Sequence, residues 1–137
     1  MKKLIFLFFP LICFFGCEVF QDDTVTGTAG LELDSNLFGN WKACDLTINE
    51  GTTAAMGYYY KLNLSSSGNF VYSHRLEQAA AETIDCEGGT QSMSSGGIWW
   101  IDGDHLSLSG DTYYSQTDYY VVSGNTLEFN GFTWEKL

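Results

Sequence analysis

From Asn40 onward the chain alternates apolar and polar positions with a period of two, and Gly, Asn, Ser and Asp punctuate the runs. That spacing predicts antiparallel strands with one face buried. "NWKACDLTI" is the first predicted strand, and "YYYKLNL" is the second, with Tyr58, Tyr60, Leu62 and Leu64 on one face. "SSSGN" turns the chain into "FVYSHRL", where Phe70, Tyr72 and His74 share a face, so the two runs form a hairpin. "GIWWI", the turn "DGD" and "HLSLS" make a second hairpin, and "TYYSQTDYYVV", "SGN", "TLEF", "NG" and "FTWEKL" supply the remaining strands. Only "EQAAAET" has helical composition, enough for one or two turns.

Roughly seven or eight short strands joined by tight turns predict an all-β domain, either an antiparallel up-and-down β-barrel of about eight strands or, as the alternative, a sandwich. Closure favours the barrel. Phe, Trp and Tyr make up 16% of the sequence, and on so aromatic a chain an open strand edge would invite aggregation. A barrel of about eight strands encloses just enough room for its own side chains or for one small ligand.

The first residues do not join this pattern. Lys2 and Lys3 precede an apolar run from Leu4 to Phe15 interrupted only by Pro10, which fits a secretory signal and is too short to span a bilayer. The run ends on Phe14-Phe15-Gly16-Cys17. This resembles a bacterial lipoprotein signal, which implies removal of residues 1–16 and acylation of Cys17 by chains of the palmitate class. Cys13 is the rival position, but it follows the bulky Ile12. Each buried CH₂ contributes about 0.8 kcal/mol, so several chains on one Cys hold a protein firmly at a membrane. Residues 17–36, rich in acids, Thr and Gly, are expected to form a flexible tether with a reach of about 60 Å at ~3.3 Å per residue. Residues 37–137 are then the barrel domain. Glu18 and "QDD" resemble the acidic signals by which some bacteria send lipoproteins to the cell surface, so the expected address is the cell envelope, most simply the outer membrane.

Removing residues 1–16 from the 137 leaves one domain's worth of chain, with four basic and seventeen acidic side chains and a net charge of −13. Such a surface repels phosphate, which argues against nucleic acid and against the domain body lying on anionic lipid. With Cys13 in the signal and Cys17 assigned to lipid, Cys44 and Cys86 remain, and in an oxidising compartment they are expected to form a disulfide. Neither stands in a C-x-x-C spacing, so no zinc site is indicated.

"LFGNWKACDLTI" resembles the Gly-x-Trp opening of lipocalin-like domains, carried here by Gly39 and Trp41. "YKLNLSSSGNFVYSH", "GGIWWIDGDHLSLSG" and "YYVVSGNTLEF" are similar to successive segments of the small lipocalin-like lipoproteins of bacteria, and the resemblance runs from Leu37 to Leu137. It implies a calycin-type barrel. Larger lipocalins set an Arg of the last strand against the opening Trp; this chain has Lys136 there.

Catalytic constellations are scarce. His74 and His105 lie on different hairpins, no Ser stands in G-x-S-x-G, and "DGDH" is ordinary hairpin-turn chemistry with too few oxygens for Ca²⁺. No enzyme activity, cofactor or metal is therefore expected, and the expected state is a monomer. Two functions fit. The barrel could hold a small apolar ligand among Tyr60, Leu62, Phe70, Tyr72, Trp100, Phe129 and Trp134, oriented by aromatic hydroxyls. Alternatively it is a tethered module that binds a secreted or host protein, such as an inhibitor of a lysozyme-like hydrolase, drawn to a cationic partner by charge. Trp99 and Trp100 are adjacent, so only one of them can face the interior.

Overall fold

In the computed structural model, residues 24–27, 30–48, 54–111 and 114–137 are described. The expected signal, the rival Cys13 and the lipidation site Cys17 lie outside them. Eight strands form a closed antiparallel barrel: β3 (Gly39–Ile48), β4 (Ala54–Leu64), β5 (Asn69–Ala80), β6 (Thr90–Asp102), β7 (His105–Gly110), β8 (Ser115–Ser123), β9 (Thr126–Phe129) and β10 (Phe132–Lys136). Each strand pairs with its neighbour in sequence, and β10 returns to β3 through Glu135 opposite Lys42 and Lys136 opposite Trp41. The architecture is consistent with a calycin-like fold, and the sandwich alternative is set aside.

The segment expected to be wholly tether is only partly so. β1 (Thr24–Thr26) pairs with β2 (Glu32–Asp34), a short 3-10 turn follows over Ser35–Leu37, and Leu33 and Leu37 are fully buried. The folded region thus begins before Leu37. Its sequence signal was three residues long on each strand, too short for a period to register.

The "EQAAAET" segment also differs from its helical composition. Glu77, Gln78, Ala79 and Ala80 continue β5, opposite Gly57, Met56, Ala55 and Ala54, and only Ala81–Thr83 makes a 3-10 turn. Pairing with a long neighbouring strand overrides the local preference for helix.

Alternation along the strands sends one row of side chains inward. At the end closed by the 3-10 turn, the row consists of Trp41, Leu62, Leu64, Phe70, Trp99, Leu106, Leu108, Leu127 and Trp134, all essentially without solvent exposure. Indole N–H groups buried there need acceptors, and each has one: Trp41 Nε1 donates to Leu37 O at 2.8 Å, Trp99 to Ser65 O at 3.0 Å and Trp134 to Phe129 O at 3.1 Å. Lys136 lies with its ammonium 5.0 Å from the centre of the Trp41 ring and donates to Asn36 O at 3.0 Å. The cation therefore stands against the opening Trp. Gly39 makes this approach possible, because its φ of 129° disfavours any side chain and an added β-carbon would lie 3.2 Å from Lys136 Cε. Gly97 opposite Gly110 serves similarly higher in the wall, since a β-carbon on Gly110 would press on Phe70 and Ser95.

Candidate functional site: an aromatic cup at the open end

The strands are unequal in length, and this shapes the other end. β3 to β6 run for 10 to 13 residues, whereas β9 and β10 have 4 and 5. Beyond the β9–β10 hairpin the wall is therefore incomplete. Beyond that hairpin the inner faces of the long strands carry Tyr58, Tyr60, Tyr72 and His74, and with Tyr114 and Phe132 they form an aromatic cup whose rings pack on one another.

Register places these rings. Tyr60 stands opposite His74, and Tyr58 and Tyr72 occupy the diagonal positions of the same inner face. The result is a row of near-parallel rings. His74 stacks on Tyr58 at 5.6 Å and on Tyr60 at 5.2 Å, Tyr60 lies 6.3 Å from Tyr72, and Tyr72 stacks on Tyr114 at 4.0 Å. Phe132, at the start of β10, tilts against Tyr60 at 4.9 Å. The β5–β6 register shifts between His74 and Arg75, and such irregularities bend a strand and re-aim side chains near sites.

The cup is polar at its hydroxyls but uncharged at its rings. Burial pushes the Tyr72 phenol well above its ordinary range, aided by the neighbouring Tyr114 and Tyr60. Tyr114 is pushed up to about 12, mainly by burial and against the opposing effect of its hydrogen bond with Asn130. Tyr60 is raised by burial and by the charge of Asp45. Burial lowers the pKa of His74, because desolvation disfavours its charged form. These groups can donate and accept hydrogen bonds and present apolar ring surface.

Of the seven cavity candidates drawn from the sequence, only Tyr60 and Tyr72 line the cup. Leu62, Phe70, Phe129 and Trp134 are packed in the closed half. Trp100 is half-buried and opposite Ser107, on the outer face, while Trp99 takes the interior position. Period alone could say that one of the pair faces inward but not which. Tyr58 and His74 shared the predicted faces; Tyr114 and Phe132 were missed because each lies at the margin of a strand, where the count of residues to the next turn decides its direction.

Two hollows flank the short hairpin. One, of about 410 Å³, runs along Asp118–Val121 and Glu128–Thr133. The other, of about 380 Å³, lies among Lys42, Ala43, Cys44, Cys86, Thr133 and Glu135. The disulfide at its side is formed as expected, with Cys44 and Cys86 Cα atoms 5.8 Å apart. It pins the loop between β5 and β6 across the outer face of β4, over Gly57 and Tyr59. Tyr59 is buried beneath it and donates to Glu77 Oε2 at 3.0 Å; burial and then Glu77 push its phenol up to about 12. The "DGD" segment is the turn expected of it, with Asp102 opposite His105, Gly103 at φ 60° and Asp104 Oδ1 2.8 Å from His105 Nδ1.

Compared with protein-family models, with curated proteins and with solved structures, the chain matches none.

Proposed function

We propose that the protein is a lipid-anchored envelope lipoprotein whose barrel holds a small, largely apolar molecule in the aromatic cup. What carries this is the division of the interior: a closed half filled by tryptophan, phenylalanine and leucine, and an open half in which six rings, four of them tyrosines, line the inner face beyond the short strands β9 and β10. A ligand seated there would bury ring surface against Tyr60, Tyr72 and Phe132 and take its orientation from tyrosine hydroxyls. Titration with an environment-sensitive apolar dye should give saturable binding, weakened about tenfold or more when Tyr60→Ala and Tyr114→Ala are combined. Absence of saturable binding by the wild type would overturn the proposal.

The anchor is part of the same proposal. It is supported by Gly16-Cys17 after the apolar run and by the acidic stretch that follows. Cells fed a labelled fatty-acid analogue should label the wild-type protein and leave Cys17→Ser unlabelled; equal labelling of the two would remove the anchor.

A tethered protein-binding module is the alternative, and one observation favours it. Tyr119 and Val121 are 62% and 61% exposed beside the hollow that also contains Asp118 and Glu128. An exposed aromatic and aliphatic pair flanked by carboxylates suits a basic protein surface, such as that of a lysozyme-like hydrolase.

A further inference from the structure

We infer that the cup takes an amphiphile whose polar head is an ammonium group, and that it discriminates against a carboxylate carried on the same apolar chain. This rests on the ligand-holding reading of the cup and adds the charge class of what it holds.

The placement of the cations decides the matter. Among the described residues the Lys and Arg side chains are Lys42, Lys61, Arg75 and Lys136. Lys42 and Lys61 are opposite one another in the β3–β4 register, one step out of phase with the inward pair Trp41 and Leu62, so both lie on the outer face. Arg75 is opposite Tyr59, again on the outer face beside the loop that the disulfide pins. Lys136 faces inward, but at the closed end, against Trp41 and the Asn36 carbonyl. No Lys or Arg side chain of the described residues therefore borders the cup, and burial disfavours the charged form of His74 within it. A bound carboxylate would find no positive partner there.

A bound ammonium would find several favourable ones. Asp45 lies on the inward row of β3 after Trp41 and Ala43, directly opposite Tyr58, exposed at the rim and close enough to act electrostatically on Tyr60. Hydroxyl oxygens of Tyr58, Tyr60, Tyr72 and Tyr114 can accept from a donor head. The ring faces at the ends of the stacked row are attractive to a cation. The chain's net charge of −11 raises the local concentration of cations over the whole surface, so the contribution of the site must be separated from that general field.

Dodecylammonium, dodecanol and dodecanoate, each below its micelle threshold, serve as matched probes by calorimetric titration. The ammonium should bind about tenfold or more tightly than the carboxylate, with the alcohol between them. Asp45→Asn should narrow that gap to about threefold or less, whereas Glu32→Gln, an exposed carboxylate at the closed end, should leave it unchanged. Equal or tighter binding of dodecanoate would overturn the inference. So would a gap that narrows as much with Glu32→Gln as with Asp45→Asn, since the preference would then belong to the general charge. Failure of dodecanol to bind along with the other two would instead sink the ligand-holding reading itself.

Discussion

Truncating Trp41 to alanine is expected to destabilise the barrel by about 3–5 kcal/mol, among the largest effects of any single substitution in the chain. The indole is fully buried at the closed end, so its removal deletes apolar contact and leaves a cavity that surrounding tryptophans and leucines cannot collapse to fill. Two further losses act in the same direction. The Leu37 carbonyl loses the donor 2.8 Å away, and the Lys136 ammonium loses the ring beneath it. Trp41→Phe separates the contributions: it keeps an aromatic ring but removes the N–H, and should cost about 1–3 kcal/mol. Denaturant unfolding followed by tryptophan fluorescence measures both, with Trp99, Trp100 and Trp134 as the remaining reporters. A cost for Trp41→Ala below about 1 kcal/mol would mean that the closed end is not packed as described.

Replacing Cys44 and Cys86 together by alanine should lower stability by about 4 kcal/mol at most, the chain-entropy value for a loop of the observed separation, 42 residues. Both cysteines are exposed on the outer face, so the interior rows and the pairing of β10 with β3 are untouched by the change. The local consequence is release of the loop over β4. Tyr59, buried now beneath that loop, would gain solvent whenever it lifted. The double variant should therefore be cut by protease within residues 81–89 well before the barrel unfolds, whereas the oxidised wild type should resist until global unfolding. Equal cleavage of the two would show that the staple does not restrain this segment.

Most of the barrel was legible in the sequence because a half-buried strand writes its own period. Leu62 and Leu64, and Phe70 and Tyr72, are spaced two apart, and turn residues separate the runs. The cysteine pair was legible by elimination. Other features depend on length and direction, which composition does not record. That β9 and β10 stop after 4 and 5 residues, leaving the cup open on one side, follows from where a turn falls rather than from which residues are apolar. The choice between Trp99 and Trp100 depends on a register set by β7, where Leu108 and Leu106 fix which face is inside. Leu33 escaped notice because its strand is three residues long, though it fills the closed end as completely as any leucine of the barrel.

The seam between β3 and β10 has a kinetic consequence. Lys136 Nζ and the Asn36 carbonyl are 100 positions apart in sequence, and Leu137 N–H reaches Asn40 O at 2.9 Å across the same seam. Hairpins from β3 to β8 can each form from local chain, but the ring cannot close until β10 arrives, and contacts so distant in sequence are slow to form. While β10 is delayed, the chain is an open sheet with two free edges and a greasy concave face, the species most prone to pairing with its own kind. A chain synthesised from its N-terminus would pass through that state on every molecule. The acidic excess, which repels one unclosed sheet from another, then acts as the chain's own safeguard during the interval before closure.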